Sequence, residues 1–204
     1  MGFLDRLAKV LADYDASRGR QLESVPTVTV PQEEKEEPHF VGGKQIFQKG
    51  LDFVLASEGG YVNDHYDPGG ETKYGISKKA YPHLDIANLT LEDAKTIYYR
   101  DYWLGSGAKV VDYSPELAMI LFDTAVNMGT GTAIKFLQRT LRVKEDGIFG
   151  EETQAALERS NVNEVIEWYM TNRILRYSDL DTWTRYRRGW IKRVVGLLTY
   201  VGRG

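Results

Sequence analysis

Two patterns predict a mainly helical fold with one small β element for this 204-residue chain. Apolar residues recur at helical spacing over residues 44–57, 90–102, 115–128, 132–142, 151–159, 162–177 and 183–199. The stretch from Tyr61 to Ile76 instead collects Gly, Asp and Asn and loses that period, as a hairpin or ordered loop does. A third observation separates this body from what precedes it. Phe3, Leu4, Leu7, Leu11 and Tyr14 predict a short amphipathic helix in an arm of residues 1–23, and the residues that follow turn to alternating Thr and Val with Pro26, Pro31 and Pro38. With the run Glu33-Glu34-Lys35-Glu36-Glu37, residues 24–40 read as an acidic, extended linker. The folded body is therefore expected over 41–204, in a first part to 114 and a helical second part from 115.

Bulk properties exclude several functions. Cysteine is absent, so disulfides and thiolate metal sites are impossible and stability rests on packing. His39, His65 and His83 lack ligand spacing and no HExxH pattern occurs, so no metal or other cofactor is expected. No apolar run approaches the about 18 residues that a membrane span requires. Residues 1–40 hold 5 basic and 8 acidic side chains, leaving 21 of each in the body, so the net charge of −3 belongs to the arm and linker. A neutral body argues against nucleic acid as a partner. The basic stretch Arg185, Arg187, Arg188, Lys192, Arg193 and Arg203 is the local exception. Its residues suit either a basic surface helix or, through Trp190, Val194, Leu197 and Leu198, a last helix packed on the core.

One glutamate stands out. Leu51, Val54 and Leu55 precede Glu58 by seven, four and three residues, placing it on the apolar face at the C-terminal end of the first body helix, before the Gly59-Gly60 stop. Partial burial and the negative end of the helix dipole both disfavour its carboxylate, so its pKa is expected to rise, as a general acid requires. Asp67 and Thr72 follow, in a segment whose turns would carry a second carboxylate and a hydroxyl to the opposite wall of a cleft. Glycoside cleavage uses such a pair: one carboxylic acid protonates the leaving oxygen, and a carboxylate across the sugar activates water or stabilises positive charge. Glu71 competes with Asp67 for the second role. Tyr61, Tyr74 and Asn127 are expected to contact substrate, Asn127 through an N-acetyl group, and His65 to line the cleft. Tyr98, Tyr99, Tyr102 and Trp103 suit a sugar-stacking platform or, as aromatics at helical spacing usually do, the core.

These motifs carry a resemblance. Glu58-Gly-Gly-Tyr61, then Asp67-Pro-Gly-Gly-x-Thr72-x-x-Gly-Ile, then Tyr98-Tyr-Arg-Asp-Tyr-Trp103 resemble the glycosyl hydrolase 108 family of phage and bacterial N-acetylmuramidases. The resemblance implies a lysozyme-like helical fold with a small β-hairpin lobe and cleavage of the β-1,4 bond between N-acetylmuramic acid and N-acetylglucosamine. It places the family acid on Glu58 and its partners on Asp67 and Thr72, with the gap between the last two one residue shorter than in classical phage lysozymes. Ala125-Val-Asn-Met-Gly-Thr-Gly131, Phe136-Leu-Gln-Arg139 and Asp146-Gly-Ile-Phe-Gly-Glu-Glu-Thr153 are similar to the predicted peptidoglycan-binding region that completes such proteins. The last piece also reads as a tight turn opening a helix. The implied partner is the glycan strand of peptidoglycan, with the arm a handle for a virion component or a membrane, or a plain surface helix. The rivals are a lytic transglycosylase and a non-catalytic peptidoglycan-binding virion protein. The start Met-Gly-Phe-Leu-Asp lacks the pattern of a secretory signal, so the expected location is the host cytoplasm, then the cell wall once the membrane is permeabilised, or the virion.

Overall fold

The structure is a computed structural model that describes residues 41–57 and 71–202. The expected N-terminal helix, the linker and residues 58–70 lie outside the described residues. Among the described residues are seven α-helices and one two-stranded sheet. Helix α1 (Val41–Ser57) leads to strands β1 (Thr72–Lys73) and β2 (Ile76–Ser77), then α2 (Leu91–Tyr98) with a π-helical turn over Tyr99–Trp103 and a 3-10 turn over Gly107–Lys109. Helices α3 (Pro115–Met128), α4 (Thr130–Leu141), α5 (Glu151–Glu158), α6 (Val162–Ser178) and α7 (Trp183–Val201) complete the chain. The mainly α fold with a small β element is as the periodicity predicts. None of the described helices is long and apolar enough to cross a membrane.

Helix α3 is the axle. Ser114 caps it by accepting from Leu117 N at 3.0 Å, and Pro115 in its first turn has no amide to satisfy. Every residue from Leu117 to Met128 is buried, because α1, α4, α7 and the two short turns after α2 pack around it. Phe122 meets Phe47 of α1 and Trp103 of the π turn, both at 5.6 Å between ring centroids. Gly107 lets the 3-10 turn lie against this cluster. A Cβ there would run into the Trp103 ring and come within 2.7 Å of the Ala118 carbonyl oxygen.

The expected helix over 90–102 proves to be two conformations. Thr90 and Asp93 form a capping box, with Asp93 N donating to Thr90 Oγ1 at 3.1 Å and Thr90 N to Asp93 Oδ2 at 3.0 Å. From Tyr99 the ladder widens, so that Leu104 N reaches back five residues to Tyr99 O at 3.0 Å, while Thr130 Oγ1 donates to Asp101 O at 3.3 Å. The aromatic run that suited either a platform or the core is core: Tyr98 and Trp103 are buried, and Tyr99 and Tyr102 pack on the same cluster.

Helix α7 likewise takes the core reading, burying Trp190, Val194, Leu197 and Val201. Arg193, within the basic stretch, is buried too. It donates through Nε at 3.0 Å and Nη2 at 2.7 Å to Asp123 Oδ1 of α3, whose Oδ2 pairs with Arg173 Nη1 of α6 at 2.7 Å. Arg173 also donates to Thr124 Oγ1 and to the Tyr177 hydroxyl. Burial by itself would raise the Asp123 pKa, but the attraction of Arg193 and Arg173 outweighs it and holds the carboxyl below its ordinary value. Replacing Asp123 by Asn leaves two buried guanidiniums without their counter-charge, so we expect a loss of about 3–5 kcal/mol in denaturant unfolding. Because the native pKa is depressed, the contribution is complete above the unfolded-state value of about 3.9 and disappears as pH falls through the native value. The wild-type acid-unfolding limb below about pH 4 should therefore flatten in Asp123→Asn.

Candidate functional site

The β-hairpin places the first of the expected site residues. Thr72 pairs with Ser77 and Lys73 with Ile76, leaving Tyr74 and Gly75 as a two-residue turn with φ of 52° and 78°. Two positive φ values define the type I′ turn that matches strand twist. Glycine adopts it freely, whereas a tyrosine pays about 1–2 kcal/mol for the left-handed region. The Tyr98 hydroxyl holds the strained residue, donating to Tyr74 O at 2.9 Å. The hairpin is tied further to the following loop by Lys73 Nζ on Ala87 O at 2.8 Å and Lys78 Nζ on Leu84 O at 2.6 Å. Thr72 is consequently a buried residue on a fixed strand, and Tyr74 a half-buried one beside it. Glu71 immediately precedes β1, its carbonyl accepting from Lys78 N at 2.9 Å.

Asn127 sits in the last turn of α3, before Gly129 turns the chain into α4 at φ 86°. It is buried, with Nδ2 donating to Asp123 O at 2.7 Å, while Oδ1 has no hydrogen-bond partner among the described residues. Leaving a buried acceptor unpaired costs roughly 1–3 kcal/mol, so this oxygen is disposed to accept from a donor brought to it. No described contact joins Asn127 directly to the hairpin; the link runs through Tyr98, whose ring meets Phe122 at 6.4 Å, five residues before Asn127 on the same helix. Glu58, Tyr61, His65 and Asp67 lie outside the described residues. The chain enters their segment from α1, whose Leu51 and Val54 are fully buried, and leaves it at the hairpin.

A cluster that the sequence reading missed follows the hairpin directly, with Tyr81 N donating to Ser77 O at 3.0 Å. The Tyr81 hydroxyl, four residues after β2, donates to Asp101 Oδ2 at 2.8 Å and lies 3.5 Å from the Tyr102 hydroxyl. Burial raises the Tyr81 pKa most, with Tyr102 and Asp101 adding to it. Burial pushes Asp101 up, but its bonds from Arg100 and Tyr81 prevail and keep it below the ordinary carboxylate value. Asp101 is thus an anion already engaged, suited to positioning rather than proton donation. Only its presence in the 98–103 motif hinted at it, since Tyr81 is 20 residues away. A shallow hollow of about 380 Å³ between Leu84 and Ile97 also contains carboxylates, but Asp85 is bonded to Asn88 and Asp93 to Thr90.

The second-half motif organises itself. Gln138 of α4 donates from Nε2 to Asp146 Oδ1 at 2.8 Å and to Ile148 O at 3.0 Å, lies 3.2 Å from Thr153 Oγ1, and accepts from Gly147 N at 2.8 Å. Asp146, Gly147 at φ 81° and Thr153 therefore hold a loop in shape and deliver Glu151 and Glu152 to the first turn of α5. This is the turn-and-helix reading.

Comparison with known proteins follows the same division. Residues 51–129 match the model of the glycosyl hydrolase 108 family, and residues 132–195 that of a predicted peptidoglycan domain. The solved structure of Brucella abortus SagA is similar at a TM-score of 0.67 and 28% identity, covering 78% of this chain and 94% of that one. None of the curated proteins compared with the chain matches it. The junction between the two matched regions falls at the Gly129 turn between α3 and α4, and the Asp123 ion cluster crosses it. With both regions present in the expected order, the chain joins a glycosyl hydrolase 108 region to a predicted peptidoglycan domain, a combination that supports a peptidoglycan hydrolase.

Proposed function

We propose that this hydrolase is a muramidase of lysozyme type, cleaving the β-1,4 bond between N-acetylmuramic acid and N-acetylglucosamine. The observation that carries the reading is the anchoring of both ends of the segment holding the acid residues. Helix α1 runs, with Leu51 and Val54 in the core, to the residue before Glu58, and the chain resumes as a hairpin pinned by Tyr98. A proton donor and a carboxylate must be held to fractions of an ångström across the glycosidic oxygen, and anchored ends serve that need.

In this mechanism Glu58 donates its proton to the leaving oxygen. Asp67 stabilises the oxocarbenium-like transition state or orients the attacking water, and Thr72, buried on β1, fixes that water or the carboxylate. The unpaired Asn127 Oδ1 suits the N–H of an N-acetyl group, a donor that both sugars carry. Tyr61 and Tyr74 provide further substrate contacts. The boundaries of the arm at 1–23 and the linker at 24–40 stay part of this proposal, as does a phage role: an endolysin that reaches the wall after membrane permeabilisation, or a lysin carried on the virion through its arm.

Glu58→Gln should abolish release of soluble fragments from purified peptidoglycan, by about 10²-fold or more, while leaving the unfolding midpoint unchanged. Mass spectrometry of the wild-type digest should find reducing muramic ends; anhydromuramic ends would instead identify a transglycosylase. Asn127→Ala should lower kcat/KM about tenfold, the equivalent of one lost hydrogen bond to substrate, with a stability change of no more than about 1 kcal/mol. A fall in stability with unchanged kinetics would give the residue a purely structural role. Immunodetection of the protein in purified phage particles is expected for a virion-carried lysin, and its absence there for an endolysin.

A further inference from the structure

Helix α6 buries one face and leaves two large apolar side chains exposed on another. Val165, Tyr169, Met170 and Tyr177 are buried against the rest of the molecule, with Tyr169 stacking edge-on to Phe136 and donating from its hydroxyl to Ala133 O at 3.2 Å. On the side turned away from the core, Trp168 is 60% exposed and Leu175 55% exposed. The contrast with the other tryptophans is sharp. Trp103 and Trp190 are each 2% exposed, and Trp183 packs against Trp190 at 6.2 Å. Trp168 has no aromatic neighbour among the described residues. It shares a stripe with Glu164, Thr171 and Leu175 at the i, i+4, i+7, i+11 spacing of one helix face.

We propose that this stripe, Glu164–Trp168–Thr171–Leu175, is a carbohydrate platform on which the glycan strand of peptidoglycan lies outside the catalytic cleft. The proposal rests on the match of residues 132–195 to a predicted peptidoglycan domain and says which surface of that region makes the contact. An exposed indole offers a flat apolar face to the C–H side of a sugar ring. Glu164 accepts from sugar hydroxyls on one side of it. Thr171, whose own hydroxyl donates to Glu167 O at 2.9 Å, offers lone pairs on the other. From Trp168 to Leu175 is about 10.5 Å along the axis, room for successive sugar rings. Glu164 and Glu167 flank the indole with negative charge, which repels the carboxylates of the stem peptides that N-acetylmuramic acid carries in amide linkage. The ring seated on Trp168 is therefore the neutral N-acetylglucosamine. A second copy of the chain is the poorer occupant, because the acidic and hydroxyl groups that interrupt the stripe would be buried without partners.

The test is binding of the full chain to insoluble, purified peptidoglycan, read as the half-saturating amount of polymer. Trp168→Ala should raise that amount about tenfold, equivalent to about 1.4 kcal/mol, and Leu175→Ala should raise it by a smaller factor. Trp168→Phe should recover most of the loss, because it restores an aromatic face. Ile148→Ser, which changes an exposed apolar residue off the stripe, should leave binding as it was. Unchanged binding in both Trp168→Ala and Leu175→Ala overturns the proposal. So does a concentration-dependent dimer of the wild type in sedimentation that Trp168→Ala abolishes. Binding that depends on Trp168 while the wild type releases no fragments would uphold the platform and remove the hydrolase reading, so the two failures are distinguishable.

Discussion

Asp123 carries one negative charge into the interior of the molecule, and two arginines from distant helices come in after it. Arg193 approaches from 70 residues away and Arg173 from α6, both nearly or wholly excluded from solvent. Such a group is expensive to bury: each ion gives up its hydration, and the attraction offsets that loss only when geometry and additional hydrogen bonds are good. Here they are. Arg193 presents two nitrogens to one carboxylate oxygen, and Arg173 is completed by Thr124 and Tyr177. The consequence is specificity of assembly, since α3, α6 and α7 have one mutual arrangement that pairs all three charges, and every sliding or rotation strands one of them.

That constraint matters because of where α3 leads. The helix belongs to the hydrolase region, whereas α6 and α7 belong to the predicted peptidoglycan domain, so the ion cluster makes the two regions a single packed body across the Gly129 turn. One turn after Asp123, Asn127 bonds to its backbone carbonyl and leaves its own oxygen unpaired among the described residues. One residue before it, Phe122 supports Tyr98, which pins the hairpin at Tyr74. The hairpin, Asn127 and the charge cluster thus share one rigid element, and the placement of the hairpin inherits its precision from the core rather than from its own four paired residues.

The same economy appears in the second half, where polar residues of the recognisable motif are spent on internal order. Gln138 gathers Asp146, Ile148 and Thr153 into one loop, so contact with the wall has to come from side chains that the fold leaves outside. Trp168 is such a side chain.

Much of this was legible in the residues themselves. Seven helical segments and the interrupting hairpin followed from apolar period and glycine content, both local properties that act within a few residues of the chain. The family motifs lie equally close in sequence, and so do the capping pairs at Thr90 and Ser114 and the Tyr74-Gly75 turn, which the structure brought out. What only the tertiary structure decided involves partners far apart: that Arg193 leaves the basic stretch for the core, that Tyr81 finds Asp101, that the helix widens into a π turn over Tyr99–Trp103, and that Trp103 and Trp190 are enclosed while Trp168 is not. Helical spacing places a tryptophan on a face but does not say whether another helix covers that face. Burial and charge pairing depend on which elements meet, and that is settled by packing the whole chain at once.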